Sequence, residues 1–179
     1  MLTKTRRFEL RERTAATHAE LDRLVGGFDT IGDYMRYLTG IYAFRSAIEP
    51  CFEENPATCW RTEPIRHLIE ADMADLGVTR TPSIGVAPKP RSASEALGVA
   101  YVLEGSRLGA KLLFRRATAL GLGAEDGARH LAVQSQGGDC WKSYTAALEA
   151  AEPFDLDGAV SAASATFGVA LDAFRGTAR

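Results

Sequence analysis

The stretch SASEALGVAYVLEGSRLGAKLLFRRATAL (92–120) holds the longest helical signal in the chain together with three residues that a helix should avoid. Ser92 and Glu95 form an S-x-x-E capping box, so a helix opens at Ser92 and runs to about Leu120, where a GLG sequence punctuates it. Its interior carries Gly98, Gly105 and Gly109, each costing about 1 kcal/mol against alanine. Something has to offset that cost. Residues four and seven apart share a helix face, so Tyr101, Gly105 and Gly109, with Leu108, Leu112 and Arg116, form a stripe that is bare in its middle. Two readings are open: a second helix packs against the G-x-x-x-G step, or a flat object approaches the main chain. Arg116 lies about 16 Å beyond Gly105 along the axis. On the second reading it reaches a carboxylate at the rim of a planar ligand, and on the first it stays solvated beside Arg115.

Outward from this segment the pattern stays helical. Residues 3–25 place Leu10, Thr14, Thr17, Leu21 and Leu24 on one stripe, and Gly26 and Gly27 stop it. Thr30 and Asp33 give a capping-box-like start to a second helix through Tyr34, Leu38, Ile41, Arg45, Ile48 and Phe52, which Pro50 should kink or end. A shorter helix over 63–76 turns Ile65, Leu68, Ile69 and Leu76 inward, and 77–91 holds too many breakers (Pro82, Gly85, Pro88, Pro90) for regular structure. Residues 124–133, 138–150 and 157–175 read as three more helices, with Trp141, Tyr144 and Leu148, or Val160, Phe167, Leu171 and Phe174, on their apolar faces. There is no convincing period-2 strand and no internal repeat. The fold class expected is all-α, a bundle of about seven helices in one domain over 1–179.

Composition narrows the function classes. At 179 residues, 46% hydrophobic and 25% charged, the chain suits one ordinary globular domain. A net charge of −2 gives no broad basic field, so nucleic acid is not expected as a partner. The N-terminal segment is charged throughout and lacks the apolar core of a secretory signal, and no long apolar run could span a membrane, so a cytoplasmic location is expected. Cys51, Cys59 and Cys140 form no CxxC pair and are expected to be buried, reduced thiols.

The histidines are His18, His67 and His130, with no two at i, i+3 or i, i+4, so no H-E-x-x-H motif exists. The paired Glu-x-x-His motifs of di-iron bundles are missing too; Glu63 and His67 come nearest. Ser106 sits in G-S-x-x-G rather than a nucleophile elbow, and GLGAED lacks the third glycine and the strand of a dinucleotide site. His18 differs in its neighbours. Arg11, Thr14, Asp22 and Val25 share its face, and Asp22, one turn on, can accept a ring N–H as the carboxylate behind a ligating imidazole does. A lone histidine on an amphipathic helix is more commonly a surface or satisfied core residue.

LRERTAATHAELDRLV (10–25) and ALGVAYVLEGSRLGAKLLFRRA (96–117) resemble the two helices that sandwich haem in the haem oxygenase family, specifically its bacterial biliverdin-producing branch. GDYMRYLTGIYAFRSAIEP (32–50), GARHLAVQSQGGDCWKSY (127–144) and SATFGVALDAFRG (164–176) are similar to the same branch in matching order, and E-G-S-x-L-G is the most specific piece. The resemblance implies that His18 is the proximal iron ligand and that Gly105, Ser106 and Gly109 form the catalytic distal segment. It implies Asp22 as support for His18, Arg11 and Arg116 as propionate partners, and Thr14, Tyr101 and Leu112 as further haem contacts. His67 and His130 correspond to no ligand of the family and are read as structural. Two departures stand out: Gly109 is followed by Ala110 where the family has a glycine pair, and Asp22 replaces a longer glutamate.

The same resemblance implies that haem is both cofactor and substrate, cleaved by O2 and external electrons to biliverdin, ferrous iron and carbon monoxide. The electrons would come from a ferredoxin or flavoprotein reductase, since the chain has no flavin or nicotinamide fingerprint. The purpose would be iron acquisition or supply of a bilin chromophore, for instance to a bacteriophytochrome. The alternative is a non-catalytic regulator or adaptor of the same fold that binds a signalling protein. A thiamin-degrading or di-iron relative is a third reading, against which the missing metal ligands and activated cysteine count.

Overall fold

Hydrogen bonds at the helix ends realise most of the stops and starts written in the sequence. The computed structural model describes residues 5–53, 60–79, 84, 87, 89–136 and 138–177. Among the described residues there are seven helices, α1 (Arg6–Val25), α2 (Ile31–Glu53), α3 (Arg66–Asp75), α4 (Ala93–Ala119), α5 (Arg129–Ser135), α6 (Gly138–Ala150) and α7 (Leu156–Arg175). Among the described residues there is no strand, only an isolated bridge between Gly123 and Gly127. The fold is all-α.

Thr5 caps α1 by accepting from Phe8 N at 3.3 Å, and Gly26, at φ 61°, closes it in the left-handed region that a glycine enters without strain. Thr30 and Asp33 form the reciprocal box at the start of α2, Asp33 N donating to Thr30 Oγ1 and Thr30 N to Asp33 Oδ2, both at 3.1 Å. Ser92 accepts from Glu95 N at 3.1 Å, while the Glu95 carboxylate takes Arg91 N instead of the cap residue's own N–H. Pro50 does not end α2, which continues to Glu53. The helix expected over 63–76 is shorter, beginning at Arg66. The one expected over 124–133 begins only at Arg129, because Gly123 N bonds Asp126 O and Gly127 sits at φ 70°, closing a tight turn over GLGAEDG. Cys51 is buried as expected, but Cys140 is exposed at the start of α6, and Cys59, Pro82, Gly85 and Pro88 lie outside the described residues.

Packing centres on α7, against which α1, α2 and α4 all lie. Close approach is made at glycines. A Cβ on Gly98 would stand 2.0 Å from Ala159 O, so α4 and α7 cross backbone to backbone there, and a Cβ on Gly40 would stand 2.6 Å from Phe174 Cδ1. Around these crossings Leu10, Leu38, Ile48, Leu97, Leu103, Leu131 and Leu148 are fully buried, each such side chain stabilising by about 1.5–3 kcal/mol. Two buried tyrosines satisfy their hydroxyls by donating to carbonyls, Tyr34 to Gly127 O at 2.6 Å and Tyr144 to Leu97 O at 2.8 Å.

Candidate functional site

Although α1 and α4 both pack on α7, they hardly touch each other, and an open cavity of about 740 Å³ separates them. That is the size of a small-molecule site. The α4 wall follows the i, i+4 rows of the helix, Tyr101, Gly105, Gly109 and Leu113 in one and Val102, Ser106 and Ala110 in the next. A Cβ on Gly105 would find nothing closer than Trp141 Cζ3 at 3.8 Å, and one on Gly109 nothing within 4 Å. The interior glycines therefore divide. Gly98 serves helix packing, whereas Gly105 and Gly109 leave main chain open to the cavity.

Across from that wall α1 contributes Arg7, Arg11, Thr14, His18, Asp22 and Val25. The His18 ring is packed edge-on against Phe167, centroids 5.6 Å apart, and its Nδ1 lies 3.0 Å from Asp22 Oδ2. Asp22 is one carbon shorter than glutamate yet still reaches. The contact is an ion-pair distance rather than an aligned hydrogen bond, and a carboxylate this close favours the ring proton on Nδ1, leaving the Nε2 lone pair for a ligand. Both side chains are more than half exposed, so the pair orients the ring more than it stabilises the fold.

Two struts join α4 to α1. Tyr101 on α4 interacts with Thr14 on α1, whose hydroxyl donates to Leu10 O at 2.7 Å; burial pushes the Tyr101 phenol above its ordinary range, with Thr14, Arg11 and Arg7 opposing. At the other end Arg116 Nη1 donates to Gly26 O at 3.4 Å, against the glycine pair that stops α1. Among the described residues no carboxylate forms an ion pair with Arg7, Arg11 or Arg116. Arg11 and Arg7 border the cavity; Arg116 and Leu112 do not, and Leu112 is 54% exposed.

Behind Ser106 the wall is polar. Its hydroxyl donates to Leu103 O at 2.7 Å and accepts from Arg45 Nη2 at 3.3 Å and Gln134 Nε2 at 3.5 Å. Ser106 thus has no proton left for the cavity. Arg45 is buried, its Nη1 3.6 Å from Glu49 Oε1 and its Nε without a partner. Glu104 accepts from Trp60 Nε1 through Oε1, while Oε2 lies 3.3 Å from Arg107 Nε at an angle that makes no hydrogen bond.

Eight of the ten site residues read from the sequence thus meet on one cavity: Arg11, Thr14, His18, Asp22, Tyr101, Gly105, Ser106 and Gly109. Arg7, Tyr37 and Gln134 also line it and were missed. Arg7 was within reach of the argument, one turn before Arg11; Tyr37 and Gln134 come from other helices and carry no local signal.

Fold and site together define an all-helical protein with an apolar cleft between a histidine-bearing helix and a bare one. The sequence is 34% identical over 151 residues to Heme oxygenase PigA of Pseudomonas aeruginosa, covering 78% of this chain and 75% of that protein. The structure is similar to that of the NO- and CO-bound heme oxygenase from Neisseria meningitidis, with a TM-score of 0.78 and 26% identity, covering 98% of this chain and 92% of that one. No protein-family model matches the sequence. The chain belongs to the haem oxygenase family.

Proposed function

We propose that the cleft between α1 and α4 is the haem site of a haem oxygenase, with His18 Nε2 as the iron ligand and the turn 105–109 of α4 lying across the porphyrin. The observation that carries this reading is the pairing, across one cavity, of an imidazole whose free nitrogen is Nε2 with a stretch of helix where added Cβ atoms meet open space. A flat macrocycle needs that bareness and a metal at its centre needs that nitrogen. Family membership supports the same chemistry.

When bound, haem supplies the iron at which O2 is reduced and is itself the substrate, opened to biliverdin with release of ferrous iron and carbon monoxide. The chain's residues hold and screen it. Asp22 keeps the His18 proton on Nδ1. The Arg7 and Arg11 side chains, which pair with no carboxylate among the described residues, stand at the cavity edge, placed for the propionates. Arg116, bonded to Gly26 O and paired with no carboxylate among the described residues, is one side-chain movement away. Ile41, Phe44, Phe167 and Phe174 keep water from the ring faces. Ala110 is buried in the wall, so its methyl shapes the cavity without projecting across it. Ser106 fixes Arg45 and Gln134 at the wall, Gln134 presenting its amide to the cavity. Electrons come from an external donor, a ferredoxin or flavoprotein reductase, because the chain has no redox fingerprint of its own.

Titration with haem tests the reading. A saturable Soret band at one haem per chain is expected, and reductant with O2 should replace it with bilin absorbance. A haem complex that survives excess reductant and O2 unchanged contradicts the proposed activity.

A further inference from the structure

The N-terminal end of α1 and the C-terminal end of α6 cap one another. The Glu149 carboxylate accepts from two consecutive backbone N–H groups of α1, Arg6 N at 3.1 Å and Arg7 N at 3.0 Å. With Phe8 N on Thr5 Oγ1 and Glu9 N on Thr5 O, the first turn of α1 leaves no donor unpaired. In return the Arg6 guanidinium donates through Nη1 to Leu148 O at 2.9 Å and Ala151 O at 2.6 Å, where α6 runs out of its own N–H partners. Its Nη2 donates to Glu152 Oε1 at 2.6 Å, and its central carbon lies 4.3 Å from the centroid of the Phe154 ring.

This junction fixes α1 along its axis. Leu10 and Thr14 are the buried residues of α1. Arg13 and Glu20 pair with Asp157 and Arg175 of α7, but each is a single contact between exposed or half-exposed side chains that can pivot. The bonds to α6 differ because main chain takes part on both sides. Sliding α1 by one residue, about 1.5 Å, takes two N–H groups off Glu149 and draws the Arg6 backbone away from two carbonyls at once.

The same junction borders the cleft. Arg7, whose N–H Glu149 holds, puts its side chain at the cavity edge, and Arg11 follows one turn on. Trp141, two turns before Leu148 on α6, lines the cavity too and packs on Tyr101 of α4, ring centroids 6.0 Å apart. One end of α6 thus meets the α4 wall while the other holds α1.

We infer that Arg6 and Glu149 are positioning residues whose reciprocal caps set the axial place of α1 against the bare turn of α4, and with it how haem is turned in its plane and which biliverdin isomer forms. The inference rests on the haem-site reading, in which Arg7 and Arg11 hold the propionate edge and the main chain of 105–109 screens part of the ring. A shift of α1 carries the first past the second, so a different meso carbon meets the open part of the cleft. Caps that only stabilised the fold would change stability and leave the product alone.

The first measurement uses the protein without haem. Amide hydrogen exchange over residues 6–14 should quicken at least tenfold in Glu149→Ala and in Arg6→Gln, with α3 exchanging as in the wild type. Unchanged exchange over 6–14, or the same acceleration in every helix, overturns the inference whether or not haem binds. The second is chromatography of the bilin after one turnover. Both variants should bind one haem per chain yet change the ratio of biliverdin isomers at least twofold, or add an isomer the wild type does not make. Glu149→Gln, which keeps one acceptor oxygen, should fall between. Ile69→Val, a core substitution on α3 away from the cavity, controls for lost stability and should keep the wild-type ratio. An isomer ratio unchanged in both Arg6→Gln and Glu149→Ala overturns the inference, whereas failure of the wild type to bind haem sinks the haem-site reading instead.

Discussion

Gly98 and Gly109 stand three turns apart on one helix, yet substitution at the two should have opposite consequences. At Gly98 a methyl would enter the Ala159 carbonyl, so Gly98→Ala has to push α4 and α7 apart; a loss of about 2–3 kcal/mol is expected from urea unfolding. At Gly109 nothing stands within 4 Å. Gly109→Ala should stabilise the haem-free protein by up to about 1 kcal/mol through helix propensity, and at the same time weaken haem binding about tenfold, equivalent to about 1.4 kcal/mol. Equal destabilisation by both would refute the division of roles. His18→Ala should remove the imidazole-ligated haem spectrum and regular turnover, with added imidazole restoring the former. A spectrum unchanged by His18→Ala removes His18 from the site. The sequence made these residues visible because interior glycines and a histidine with a carboxylate one turn away are locally anomalous; it could not separate packing glycines from open ones, since that depends on Ala159 and Trp141 from distant segments.

Whole helices explain what the residue pattern left out. The cavity wall on α4 follows i, i+4 rows, which drift around the axis, so Leu113 faces the cavity while Leu112, seven beyond Gly105, points to solvent. A stripe drawn with both i+4 and i+7 steps therefore strayed at its far end. The start of α4 was legible from its capping box and its end from the GLG sequence, whereas the start of α5 was hidden by a run of helix formers inside GLGAEDG whose flanking glycines enforce a turn. The α3–α5 junction gives a pH signature. Because burial lowers the folded value of His130, the unfolded chain takes up a proton that the folded one refuses as pH drops below about 6.5. The stability due to this site is complete above that value and declines below it. Urea midpoints of the wild type should fall between about pH 7.5 and about pH 5.5, and His130→Gln should flatten that slope. Identical slopes in the two proteins would show that His130 is protonated when folded.

Taken as a whole, the molecule leaves a gap between α1 and α4 while packing both on α7, and among the described residues the interaction of Tyr101 with Thr14 and the hydrogen bond from Arg116 to Gly26 O cross it. A ligand filling that gap should stabilise the entire bundle. At free haem a hundredfold above its dissociation constant the gain is about 2.7 kcal/mol, and the melting midpoint should keep rising with haem concentration in the wild type but much less in His18→Ala. The seven-helix class was legible from periodicity and caps alone, because each helix carries its own apolar stripe. The gap was not, since it arises from how three helices share one partner.

The most direct test is chromatography of the products after a single turnover of the haem complex with reductant and O2. One biliverdin and one carbon monoxide per haem consumed are the predicted result. Recovery of intact haem, or its bleaching without a bilin, would contradict a haem-cleaving site between His18 and the bare turn of α4.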